Sequence, residues 1–177
     1  MIQPLILTEC YADQMLVKAI GYEPVETHEG NSGIVNLLCD KKREFYGKRA
    51  VCIIDADKRM PEHFTTIKLR HQSTKSNISI HKIPNTLHHV IILKPAIEKW
   101  LLEAGEAVGV KPENHKLPKD FAQFRNMLKD QQIRKNNDFK NYLNAIHEKQ
   151  KKVKGHFGAL RIYIEDALKD PSKKKRK

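Results

Sequence analysis

Ala50-Val51-Cys52-Ile53-Ile54-Asp55-Ala56-Asp57 is the stretch on which the fold turns. Its first five residues are all apolar, which reads as a strand buried on both faces, and such strands belong to parallel sheets covered by helices. The run closes on two acids, Asp55 and Asp57. Upstream, Pro4-Leu5-Ile6-Leu7-Thr8-Glu9 is a shorter apolar run that also ends in an acid. Both strands are therefore expected to deliver carboxylates to an edge of the sheet.

Helical spacing follows the first run: Met15, Leu16, Ala19 and Ile20 are the apolar positions, and Gly21 is placed as the C-terminal stop. Gly30-Asn31-Ser32-Gly33 signals a turn, after which Ile34, Leu37, Leu38 and Phe45 predict a second helix to about Tyr46. Pro61 opens a predicted helix through about Leu69. Ile78 and Ile80 alternate with polar neighbours, and Val90-Ile91-Ile92-Leu93 is apolar throughout, so two more strands are expected. Pro95 is expected to start a helix carrying Ile97, Trp100, Leu101 and Leu102. Strands and helices thus alternate over residues 1–110, which predicts an α/β fold with a mostly parallel sheet flanked by helices. From Lys111 helical patterns dominate, around 118–131, 137–152 and 158–169. Residues 111–170 read as a basic helical extension packed on or completing the core, and Pro171-Ser-Lys-Lys-Lys-Arg-Lys177 as a disordered basic tail.

The 177 residues suit one domain with an appendage, and 40% apolar against 31% charged residues allows a real core. Lys and Arg number 33 against 21 Asp and Glu, a net charge of +12. Such an excess predicts a polyanionic partner, because Lys and Arg contacts to phosphate release counterions. The charge is uneven: residues 1–110 hold 14 basic and 13 acidic residues, residues 111–177 hold 19 and 8. No apolar stretch approaches the ~20 residues that span a bilayer, and the first residues lack signal-peptide features, so a cytoplasmic protein without a membrane partner is expected. Cys10, Cys39 and Cys52 are odd in number and widely spaced, which argues against a disulfide framework or a zinc site and for free, mostly buried thiols.

Glu9 and Asp13 form Glu-x-x-x-Asp between the first strand and the first helix, and Asp55 and Asp57 form Asp-x-Asp. In an open α/β sheet the ligand crevice lies beyond the carboxyl ends of parallel strands, so the two pairs converge there if their strands are neighbours. Four carboxylates held together repel one another unless a cation neutralises them. Magnesium, which takes hard oxygen ligands, is the natural candidate. Either pair alone has a blander reading as the cap of the following helix; together, each at the end of an apolar strand, they favour a metal site.

Leu7-Thr8-Glu9-Cys10-Tyr11-Ala12-Asp13, followed by Ile53-Ile54-Asp55-Ala56-Asp57, resembles the two signature motifs of the Toprim domain, and in particular those of the overcoming-lysogenization-defect (OLD) nucleases. Cys10 stands where glycine is usual. The resemblance further implies a Glu shortly after a later strand, for which Glu98 in Val90-Ile-Ile-Leu-Lys-Pro-Ala-Ile-Glu98 is the candidate and Glu103 the weaker one. It also implies a late lysine, which Lys154 in Val153-Lys-Gly-His-Phe-Gly-Ala-Leu160 resembles.

What the resemblance implies is a nuclease that hydrolyses phosphodiester bonds with Mg2+ or Mn2+, two ions serving the attacking and leaving oxygens. Asp55 and Asp57 would hold one ion, Glu9, Asp13 and Glu98 the second or the attacking water, and Lys154 would offset charge on the phosphate. Lys58, Arg59, Lys151, Lys152, Lys154 and the tail residues Lys173, Lys174, Lys175, Arg176 and Lys177 are the candidates for backbone contact. DNA is the first expectation for the substrate. Small stand-alone members of this type resemble components of bacterial anti-phage defence that work with an ATPase partner. The alternatives are a Toprim ribonuclease that processes RNA and a non-catalytic nucleic-acid-binding subunit in which the acids merely organise the fold.

Other features read more plainly. Trp100 and Phe121 have helical spacing from aliphatic neighbours and are expected in the core. His88-His89 reads as a strand-edge pair. Tyr11 invites a topoisomerase nucleophile, but that chemistry places its tyrosine in a separate domain. Gly30-Asn-Ser-Gly33 lacks the Gly-Lys-Ser/Thr of a P-loop, so no ATPase is expected in this chain.

Overall fold

The protein's structure, a computed structural model, describes residues 5–24, 47–56, 68–73, 76–151 and 155–169. The expected turn at 30–33, the helix over 34–46, most of the helix opened by Pro61, and the tail lie outside the described residues. Among them the fold is α/β. Five strands, β1 (Leu5–Thr8), β2 (Ala50–Asp55), β3 (Lys68–Ser73), β4 (Ile78–Lys82) and β5 (His88–Leu93), form one sheet in the order β1-β2-β5-β4-β3. β1, β2 and β5 run parallel; β4 is antiparallel to both β5 and β3.

β2 lies between β1 and β5, with Cys52 opposite Leu7 on one side and Val90 on the other. Its side chains alternate between two buried clusters, as the pleat requires. Val51 and Ile53 join Ile6, Ile91 and Leu93 under the described helices, while Ala50, Cys52 and Ile54 join Leu7, Val90 and Ile92 on the opposite face. The uninterrupted apolar run is the consequence of burial on both faces.

The last residues of the helix predicted from Pro61 to about Leu69 are a correction: Lys68 and Leu69 open β3, paired with Lys82 and His81 of β4. His88 and His89 correct a second expectation. They are inside β5, opposite Ala50 and Val51, and buried, because β5 has a neighbour on each side.

Helix α1 (Tyr11–Ala19) ends as the sequence predicts. Gly21, at φ 93°, donates to Lys18 O at 3.0 Å and Tyr22 donates to Val17 O at 3.1 Å, the paired bonds of a Schellman stop. Helix α2 (Ile97–Glu106) begins two residues after Pro95. Helices α3 (Phe121–Lys129), α4 (Asn137–Gln150) and α5 (His156–Leu168) match the three downstream patterns, with side-chain caps from Asp120 to Gln123 N and from Asn136 to Phe139 N. Short 3-10 turns at Pro112–His115 and Gln131–Lys135 connect them.

These helices share one core with the sheet. α5 packs on β2, β5 and β4, and α1 packs against α3 and α4. Trp100, Phe124, Phe139, Tyr142 and Phe157 are fully buried there with Val51 and Ile53. Trp100 is core, as expected: it stacks on Phe157 at 5.7 Å and donates to Ser76 O at 2.8 Å. Phe121 is not. It is the first residue of α3 and 46% exposed, and the buried stripe of that helix starts one turn later, at Phe124 and Leu128. Buried Gln150 ties α2 to α5, donating to Ala104 O at 2.9 Å and accepting from Phe157 N at 2.8 Å.

Candidate functional site

Parallel pairing in register sets where the acids fall. Thr8 is opposite Ile53, so the acids that follow, Glu9 just past β1 and Asp55 at the end of β2, fall at the same end of the sheet. The backbone confirms the alignment: Glu9 N donates to Ile53 O at 3.2 Å, and Asp55 N donates to Glu9 Oε2 at 3.2 Å. The partner strand contributes too, because β5 ends at Leu93 opposite Asp55 and the chain turns there into α2.

Asp55 reaches across that turn. Its Oδ2 accepts from Ile97 N, the first residue of α2, at 3.2 Å, where the N-cap residue Ala96 has no side-chain acceptor to offer. The carboxylate thereby satisfies one orphan N–H and sits at the positive end of the helix dipole. Glu98, in the first turn of the same helix, is buried beside it.

Asp13 lies one layer deeper. It is the third residue of α1, and its Oδ2 accepts from Cys10 N at 3.1 Å, closing the first turn. Its other oxygen, Oδ1, is buried without a hydrogen-bond partner. Burial first, and then the charges of Asp55 and Glu98, push this carboxyl up to about 8 against the opposing bonds with Cys10. Burial, then the charge of Asp13, also raises the Cys10 thiol well above its ordinary value, which keeps it protonated.

Glu9, Asp55 and Glu98 line one cleft of about 340 Å3 together with Cys10, Tyr11, Arg125 and Lys129. Four of the six acids and bases expected at the site, Glu9, Asp13, Asp55 and Glu98, are thus brought together from β1, α1, β2 and α2. Asp57 and Lys154 lie outside the described residues, as do Lys58, Arg59, Lys152 and 173–177. Glu103 faces elsewhere and accepts from Asn77 Nδ2 at 2.9 Å. Lys151 is not in the cleft: it pairs with Glu148 and lines a separate groove with Tyr22, His147 and Arg161. Among the described residues no three Asp, Glu, His or Cys side chains are close enough together to cage a metal ion.

Sequence reasoning missed the cations of the cleft. Arg125 Nε stands 3.8 Å from Glu98 Oε1, and Lys129 follows one turn along α3. The guanidinium of Arg134 lies 4.3 Å above the ring of Tyr11, which lines the same cleft. A signal existed: Arg125 and Lys129 are four apart, immediately after Phe124 and Leu128, so a basic stripe borders a buried one.

The carboxylates that line the cleft, Glu9, Asp55 and Glu98, offer oxygen donors of the kind a small hard cation takes, and Asp13 Oδ1 is buried with no hydrogen-bond partner. The chain matches no protein-family model, no curated protein and no solved structure. No helix among the described residues is long and apolar enough to cross a membrane.

Proposed function

We propose that the chain is a metal-dependent nuclease of the Toprim type, hydrolysing phosphodiester bonds, with DNA as its first substrate. The observation that carries the proposal is that Glu9, Asp55 and Glu98 line one cleft at the carboxyl ends of two adjacent parallel strands and the start of α2, with Asp13 buried one layer deeper and its Oδ1 unpartnered. Asp55 and Asp57 would hold one ion; Glu9, Asp13 and Glu98 would hold the second or orient the attacking water. Magnesium or manganese bound there supplies an activated water and neutralises charge on the attacking and leaving oxygens.

The residues of the chain do the positioning. Glu9 is locked by the Asp55 N–H and Asp55 by the Ile97 N–H, so the two carboxylates keep a fixed separation and orientation. Arg125, Lys129 and the net +11 of residues 111–177 favour the approach of a polyanion to a crevice whose own acids would otherwise repel it. Lys154 remains the candidate for offsetting charge on the phosphate, and an anti-phage role beside an ATPase belongs to the same proposal.

A second reading has its own support. Asp13 closes the first turn of α1 and Asp55 caps α2, so both acids have structural work without any metal. A non-catalytic nucleic-acid-binding subunit would need nothing more. Metal linkage separates the two: a nuclease site raises the melting temperature of the wild type with manganese, by RT ln(1 + [L]/Kd), and loses that shift in Asp55→Asn. A subunit whose acids are purely structural shows no shift.

A further inference from the structure

We propose that Arg125 is the contact for the substrate phosphate, held by Glu98 until a divalent cation takes over that carboxylate. The proposal rests on the metal-dependent reading above and adds to it a residue from α3.

Arg125 and Glu98 face each other across the cleft that Glu9 and Asp55 also line. Their closest approach, 3.8 Å, is an ion pair but too long for a hydrogen bond. The two side chains differ in exposure: that of Glu98 is 10% exposed in the wall of the cleft, while that of Arg125 is 54% exposed. A loose pair of this kind contributes little and exchanges readily. When Glu98 becomes a ligand, its charge is shared with a dication that repels the guanidinium, and Arg125 must find another anion. A phosphodiester entering the same cleft offers one. The planar fork of arginine matches two non-bridging phosphate oxygens, which a lysine ammonium does not. Lys129, four residues on and lining the same cleft, extends the cationic wall along the path of the backbone.

The exchange predicts opposite signs for two affinities. Removing Arg125 takes away a competitor for Glu98, so cation binding tightens, and takes away a phosphate contact, so nucleic-acid binding weakens. A residue that merely supports the fold would weaken both.

The test uses the full chain as wild type, Arg125→Ala, Arg125→Lys and Lys18→Ala, the last a charge control in the final turn of α1, away from the cleft. Manganese chloride alone is titrated while thermal unfolding is followed, and binding of a labelled DNA duplex is measured in calcium chloride over a range of potassium chloride. Arg125→Ala is expected to bind manganese about two- to fivefold more tightly and the duplex roughly tenfold more weakly. Its salt slope should fall by about one. Arg125→Lys should lie between it and the wild type, and Lys18→Ala should match the wild type. Wild-type duplex affinity and salt slope in Arg125→Ala, or weaker manganese binding by it, overturns the proposal while leaving the metal site standing. A wild type that manganese does not stabilise removes the metal site itself, and this proposal with it.

Discussion

The backbone N–H of Asp55 donates to Glu9 Oε2 across 46 positions of chain. This bond makes the first acid of one sequence motif a neighbour of the first acid of the other. It exists because β1 and β2 are adjacent and parallel, so that an acid placed one residue past β1 reaches the end of β2. Through Asp55 the same link continues to Ile97 N and the start of α2, which brings Glu98 into the group.

Asp13 makes stability depend on pH in an unusual direction. Its carboxyl is pushed up to about 8 in the folded chain against an ordinary 3.8, first by burial and then by Asp55. The folded state therefore keeps a proton that the unfolded chain has already released, and stability falls as pH rises from about 4 to about 8. Thermal unfolding measured between about pH 5 and 9 should show the wild type losing stability across this window. Asp13→Asn, which cannot ionise, should lose less. Parallel profiles for the two proteins would remove Asp13 as the cause. Manganese should flatten the wild-type profile by stabilising the ionised carboxylate.

Gln150 clamps two helices of the layer together. Its side chain serves Ala104 O and Phe157 N, both buried, and the space beside Gly155 is so tight that a Cβ there would stand 2.5 Å from Gln150 Oε1. Gln150→Ala leaves two buried backbone groups without partners and should cost about 2–4 kcal/mol. Urea unfolding followed by the fluorescence of Trp100, the single tryptophan, measures this directly. A change below about 0.5 kcal/mol would show that the clamp is replaceable.

Much of this was legible in the sequence, for identifiable reasons. The run from Ala50 to Ile54 has no polar interruption because both faces of β2 are buried, and a run of that kind specifies strand and layer at once. Gly21 marked the end of α1 because a left-handed residue at φ 93° is needed there. Phe121 and Arg125 were not legible. Both depend on which side of α3 meets the core and where along the helix contact begins, and spacing alone gives the stripe without its limits. His88 and His89 failed for a related reason: only the strand order, with β5 between β2 and β4, makes their end of the strand interior. Glu98 came from the resemblance, and its place beside Asp55 follows from the turn between β5 and α2.

The basic tail carries a separate expectation. Residues 171–177 hold five Lys and Arg. Deleting them should weaken duplex binding and lower the salt slope by up to about 4.5, with no change in manganese stabilisation. An unchanged slope would show that these charges do not meet the phosphate backbone.

Cleavage of duplex DNA, single-stranded DNA and structured RNA by the wild type beside Asp55→Asn, with magnesium or manganese and with chelator, tests the central claim most directly. Asparagine keeps an oxygen for Ile97 N, so the variant should fold and still bind nucleic acid. Because loss of an outer partner of a metal already costs 10–100-fold, loss of a ligand should lower cleavage by more than about 100-fold. The account predicts metal-dependent cleavage, DNA first, that Asp55→Asn abolishes; equal cleavage by the two proteins, or none by the wild type on any of the three substrates with either metal, would contradict it.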